Sequence, residues 1–182
     1  MPLLQARMEL QLSQALLHGW MSNQLARLDL PVQLLRFPLG RLHGGELRAF
    51  ELSENRCELA LGFATGPALQ LAVAALGYLP EPQVWRLRVE HLHFSGFRGG
   101  PVLNLMPGRV LEIIAAQANR RLPGLLALGG NMELRLHLEP LLKKAPLGQS
   151  LGVLGLEARP EVRVEKLEIG PGWLGLTLNA SG

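Results

Sequence analysis

Between Pro107 and Glu139 the apolar period of this chain changes once, sharply, and that change limits the available folds more than any other stretch does. Pro107 suits the first position of a helix, where its missing N–H costs nothing. From there Val110, Leu111, Ile114, Ala115, Ala118 and Leu122 recur at three- and four-residue steps, while Arg109, Glu112, Gln117, Asn119 and Arg120 mostly fall off that stripe. The spacing predicts an amphipathic helix over 107–122, ended by Pro123 and Gly124. After the Gly129-Gly130 turn the period becomes two. Met132, Leu134, Leu136 and Leu138 alternate with Glu133, Arg135, His137 and Glu139, which predicts a strand buried on one face. A helix laid on a one-faced antiparallel sheet is the expected building unit.

Composition says how much apolar surface that unit has to hide. With 182 residues the chain is long enough for one core and short for two, so a single domain over 1–182 is expected. Hydrophobic residues make up 48% and charged residues only 18%, with a mean hydropathy of +0.17, so there is apolar surface beyond what an ordinary core needs. Aromatics are 5%, which leaves leucine, valine and alanine as the apolar mass. Leucine walls tolerate guests of varied shape, an acyl chain among them. A GC-rich genome, which enriches Arg, Leu, Gly, Ala and Pro, accounts for the same composition without a ligand.

The net charge of +3 is small, and Lys143-Lys144 and Arg120-Arg121 are the longest basic runs. With no zinc-finger spacing and no RNA-type aromatic strand motif, nucleic acid is not an expected partner. Cys57 is the only cysteine, which excludes an internal disulfide and a thiolate metal cluster within one chain. No stretch approaches about 18 consecutive apolar residues, and the N-terminus lacks a basic region followed by an apolar core, so the expectation is a cytoplasmic, non-spanning protein.

Along the chain, Leu12, Leu16, Leu17, Trp20, Met21, Leu25 and Leu28 predict a first helix over 10–28. Strands follow over 32–95. Val32–Phe37 makes a short one; Leu47–Phe63 reads as a hairpin about Ser53-Glu54-Asn55, although the alternation around Ala49 is poor. Leu69–Ala75 alternates between Gly/Pro turns, and a strand is preferred there over a helix. In Val84–Ser95, Trp85, Leu87 and Val89 occupy one parity, but Leu92 and Phe94 the other. One extra residue near Glu90 restores a continuous apolar face, so a β-bulge is expected there. Gly96 to Pro101 reads as a loop, and strands resume over 131–180. Pro140–Pro160 is an apolar but irregular connection that would cover an end of the sheet or close a cavity. Val162–Ile169 and Leu174–Leu178 form a closing hairpin about Gly170-Pro171-Gly172. That hairpin and Leu47–Phe63 are alike enough to hint at a faint internal repeat.

The leading helix, the antiparallel strands through Ser95, the helix from Pro107 to Leu122, and the hairpin Val162-Arg163-Val164-Glu165-Lys166-Leu167-Glu168-Ile169 to Trp173-Leu174-Gly175-Leu176-Thr177-Leu178 give a layout that resembles the tubular lipid-binding (TULIP) superfamily, in particular its small bacterial LmeA-like and YceB-like members. The resemblance covers most of the chain and rests on element order. It implies an α+β fold in which a strongly curved antiparallel sheet wraps on two amphipathic helices, leaving an apolar groove that accepts lipid tails. Relatives of that kind usually begin with a secretion signal or membrane anchor, and no such segment is read here.

No catalytic signature names a reaction. His91 and His93 share a strand face at metal-chelating spacing, but Phe97 stands where a cupin-like site would need a carboxylate, so an exposed or satisfied pair is expected. Ser95 lacks the preceding glycine of a nucleophile elbow, and Asp29 is the only aspartate. Neither a dinucleotide fingerprint nor a phosphate loop is present, and no cofactor or metal is expected. Trp20 and Met21 read as core. Lys143 and Lys144 read as a solvated tip, with peripheral membrane contact as their alternative role. The leading expectation is a non-catalytic domain that binds a lipid or other apolar small molecule against Leu111, Ile114, Ala118, Leu122, Leu134, Leu136, Val164 and Leu176. The second is an interaction module that buries the same surplus surface in a homodimer or against a partner protein.

Overall fold

A computed structural model describes residues 5–27, 29–34, 37–96, 100–144 and 161–181. The fold is α+β, with four helices and antiparallel sheets among the described residues. In chain order the elements are β1 (Gln5–Ser13), α1 (Gln14–Ala26), β2 (Asp29–Leu34), β3 (Phe37–His43), β4 (Gly45–Ser53), β5 (Arg56–Phe63), β6 (Ala68–Leu79), β7 (Val84–Ser95), α2 (Gly100–Leu105), α3 (Pro107–Arg121), β8 (Leu126–Leu128), β9 (Glu133–His137), α4 (Glu139–Lys144), β10 (Glu161–Gly170) and β11 (Trp173–Ser181). They form a six-stranded sheet ordered β4-β5-β6-β7-β9-β8, a three-stranded sheet ordered β1-β11-β10, and the β2–β3 pair.

Two bulges give the larger sheet its continuous apolar face. Ala72 pairs with His91 and its neighbour Val73 with Val89, so Glu90 is the extra residue, as the parity break in the sequence implies. Leu87, Val89, Leu92 and Phe94 thereby share a side, while His91 and His93 turn to solvent. The same device explains the poor alternation in β4. Leu47 pairs with Leu61 and Ala49 with Ala60, leaving Arg48 over, so that Leu47, Phe50 and Leu52 are all buried. Apolar cross-strand rows follow, among them Phe50–Leu59–Leu71–Leu92 and Leu52–Cys57–Val73–Val89.

Helices and the smaller sheet pack on that face. α1 lays Leu17, Met21 and Leu25 on the core, and Gly45 admits its last turn closely: a Cβ at Gly45 would lie 3.0 Å from the Leu25 carbonyl oxygen. Leu103 of α2 is 2% exposed in the same cluster, beside Val110 of α3. β10 passes the turn ends of the larger sheet, where Ile169 joins this cluster and Val164 and Leu167 pack with Leu138 and Leu178 in a second one.

Open strand edges are closed by side-chain amides. Gln14 donates through Nε2 to the Phe50 carbonyl at 2.8 Å and accepts from the Leu52 N–H at 2.9 Å, on β4. Asn104 does the same for both backbone groups of Phe94, at 2.6 and 2.8 Å, where β7 runs past its partner β9. Asn119 does it for Leu126 of β8, at 2.9 and 2.7 Å. The edge of β10 is met by Gln83 and Tyr78 at Val164 and by the Asn55 N–H at Ile169. Each arrangement gives a backbone group the partner that a further strand would have supplied.

Several expectations need correction. The first helix does not begin at Leu10. Residues 5–13 are β1, paired with β11, and the helix starts at Gln14, where Ser13 caps it by accepting from the Leu16 N–H. Leu10 and Leu12 fit helical and strand periods equally, and pairing with the distant β11 decides between them. Trp20 is not core: it is 62% exposed and is not among the α1 side chains that pack on the cluster. The strand expected over 32–37 resolves into β2 and β3. Two further short helices appear, α2 where a loop was read and α4 at the start of the irregular connection, so the described residues hold four helices in place of two. The rest of that connection, 145–160, lies outside the described residues. The two hairpins of the faint repeat belong to different sheets. By contrast, the helix over 107–122 is found as α3 with Leu122 as its C-cap residue, and the strand over Leu69–Ala75 is the middle of β6.

Candidate functional site

The apolar face of the six-stranded sheet is where α3 and the central strands meet. Leu111 and Ile114 project from α3 because they lie three residues apart on its apolar stripe, and they pack with Leu134 of β9, Val89 of β7 and the half-buried Leu71, Val73, Leu87, Leu92 and Met132. Leu136, Val164 and Leu176 belong to the second cluster, under the three-stranded sheet, with Leu138, Leu167 and Leu178. Ala118 and Leu122 are half-buried at the C-terminal end of α3 and join neither group. Of the eight residues chosen from sequence, six therefore divide three and three between two clusters, and two lie in neither.

Trp85 touches both. It pairs with Tyr78 and Leu136 across the sheet, and its indole Nε1 is buried with no hydrogen-bond partner among the described residues. Such a donor inside an apolar shell costs about 1–3 kcal/mol unless an acceptor reaches it. Sequence reasoning missed Trp85 and the row Leu71, Val73, Leu87 and Leu92 as site residues. For Leu87 and Leu92 the signal was present in the bulge at Glu90, which sets both on the face that meets Ile114.

Titratable groups around this face are quiet. Burial, and then the charge of Glu58, pushes the Cys57 thiol up to about 11, so it is protonated at neutral pH and a poor nucleophile. Burial likewise raises the Tyr78 phenol to about 12, and its hydroxyl donates to the Val164 carbonyl at 2.9 Å.

The opposite face of the sheet is solvated and ion-paired. Arg86 grips Glu133 through two bonds of 3.0 and 3.1 Å and Arg135 adds a third at 3.0 Å, which together hold the Glu133 carboxyl down to about 2. His91 and His93 stack there with ring centroids 6.2 Å apart, both exposed, next to Ala72 and Gln70. Among the described residues no group of three or more His, Cys, Asp or Glu side chains could hold a metal ion. Asp29 accepts from Arg41 at 3.0 Å, and Lys143 pairs with Glu139 at 2.6 Å. No helix among the described residues is long and apolar enough to cross a membrane. Comparison with family models, with curated proteins and with solved structures returns no match, so the site is read from its own geometry.

Proposed function

We propose that the chain binds a lipid or another apolar molecule between α3 and the six-stranded sheet, without catalysing a reaction. The observation that carries this reading is a patch of part-open apolar surface in the middle of the sheet. Beside the buried Val89, Leu111 and Leu134, the side chains of Leu71 and Val73 on the central strand β6, Leu87 and Leu92 on β7 and Ile114 on α3 are only half-buried. A packed α/β core is driest over its central strands, so apolar surface kept part-open there fits a guest. The unpartnered Trp85 N–H supports a guest whose polar end carries an oxygen acceptor. In this reading the sheet curves around α3, and the likeness to the tubular lipid-binding superfamily is the wider form of the same proposal. A cytoplasmic location and peripheral contact with a membrane that supplies the guest belong to it as well.

Native mass spectrometry of freshly purified protein, followed by titration with a fluorescent fatty acid, tests it. Saturable uptake is expected, weakened about tenfold or more by Leu71→Trp, which fills the space beside Ile114. Absence of co-purified lipid together with non-saturable uptake would refute it.

A further inference from the structure

We propose that β1 is a dimerisation edge, on which a second copy of this chain docks antiparallel, β1 against β1, joining the two three-stranded sheets into one. The inference is independent of the ligand reading. β1 hydrogen-bonds β11 along its length, and its other edge meets no backbone or side-chain partner among the described residues. The edges of the larger sheet and of β10 are treated differently: Gln14, Asn104 and Asn119 bond backbone groups of the larger sheet, and Gln83, Tyr78 and Asn55 those of β10. A fold that closes those edges and leaves the nine residues of β1 open on one side keeps a site for strand addition.

Side chains on β1 are incomplete in the same direction. The apolar face of the small sheet consists of cross-strand rows, and along one of them exposure climbs from 2% at Val164 and 8% at Leu178 to 54% at Met8. The next row runs from Leu167, 8% exposed, through Leu176 to Leu10, 38% exposed. The β10 half of this face is covered by the larger sheet, and the β1 half is bare.

Charge selects a second copy as the occupant and fixes the register. Arg7 and Glu9 flank Met8 on the other face of β1, each more than half exposed; within one chain they meet each other at 3.4 Å, and Arg7 also lies 3.6 Å from Glu165. With Met8 on the twofold axis, Arg7 faces the second copy's Glu9 and Glu9 faces its Arg7, while Ala6 and Leu10 meet on the apolar side. Moving the axis to either neighbouring residue sets Arg7 against Arg7 or Glu9 against Glu9. An isologous strand pair thus sets opposite charges across the axis twice, and meets the open backbone and the bare apolar rows at once.

Sedimentation velocity over a dilution series tests this. Wild-type protein is expected to dimerise, and Arg7→Glu and Glu9→Arg each to weaken the dimer at least about tenfold, because both place like charges across the axis. An equimolar mixture of the two variants is expected to recover the dimer, since each supplies the charge the other lacks. Amide exchange of the wild type over the same series gives a readout that needs no variant: β1 loses protection on dilution and β4 does not. A monomer at every concentration, a dimer insensitive to both reversals, a mixture that stays monomeric, or β1 amides indifferent to dilution would each overturn the proposal.

Discussion

At the outer edge of β4 a helix side chain does the work of a missing strand: Gln14 bonds Phe50 and Leu52 at 2.8 and 2.9 Å, and Gly172 donates to the Leu52 carbonyl beside it. At the outer edge of β1 nothing among the described residues does. The two edges lie at either end of one short connection, since Ser13 ends β1 and Gln14 begins α1. What differs is the supply of partners. α1, α2 and α3 lie over the six-stranded sheet and can lend it amides, whereas the small sheet, among the described residues, meets the larger one on its β10 side. Closure of an edge here follows from what is packed above it.

That contrast can be broken by substitution, and the largest effect belongs on the closed side. Leu103→Ala removes a side chain that is 2% exposed between α2 and the sheet, and should cost about 2–5 kcal/mol in denaturant unfolding. Leu10→Ala, a truncation of the same chemistry on the open β1, should stay within about 0.5 kcal/mol for the monomer. Equal costs would mean that β1 is as firmly built in as the core.

Opening the closed edge is the intermediate case. Gln14→Leu keeps the helix and leaves the Phe50 carbonyl and Leu52 N–H without their partners, for an expected loss of about 1–3 kcal/mol. Unchanged stability would show that water replaces the carboxamide at no cost, and the difference between the two edges would lose its meaning.

The smallest expected effect is electrostatic and sharpens the comparison between the two faces of the larger sheet. Glu133 is held at about 2 in the folded chain against an ordinary value of 4.5, by hydrogen bonds from Arg86 and Arg135. A carboxyl depressed in this way lends stability that is full above 4.5 and is lost as the pH falls through about 2. Melting temperature followed over that acid window should fall less steeply in Glu133→Gln than in the wild type. An identical acid profile would show that the Arg86–Glu133–Arg135 group contributes nothing.

Much of this was legible in the residues themselves. The α3 stripe and the extra residue at Glu90 could be read because each is a matter of period within about a dozen residues, where side-chain direction follows from local geometry. The second bulge, at Arg48, was visible only as a blurred alternation near Ala49, since no run of apolar residues on either side was long enough to define a parity. The candidate site was half legible. Leu111, Ile114 and Leu134 come together, but Leu71, Val73 and Trp85 enter through pairing across β6 and β7, which no single segment encodes.

The amino-acid sequence by itself determined the helix from Pro107, the closing hairpin and the outward-facing His91 and His93, because period and turn residues act locally. Only the tertiary structure decided that Leu10 belongs to a strand, that Trp20 faces water, and that the carboxamides of Gln14, Asn104 and Asn119 finish the edges of a sheet. Those outcomes depend on which distant backbone arrives alongside. A strand edge or a side-chain amide takes whatever hydrogen-bond partner the assembled fold brings within reach.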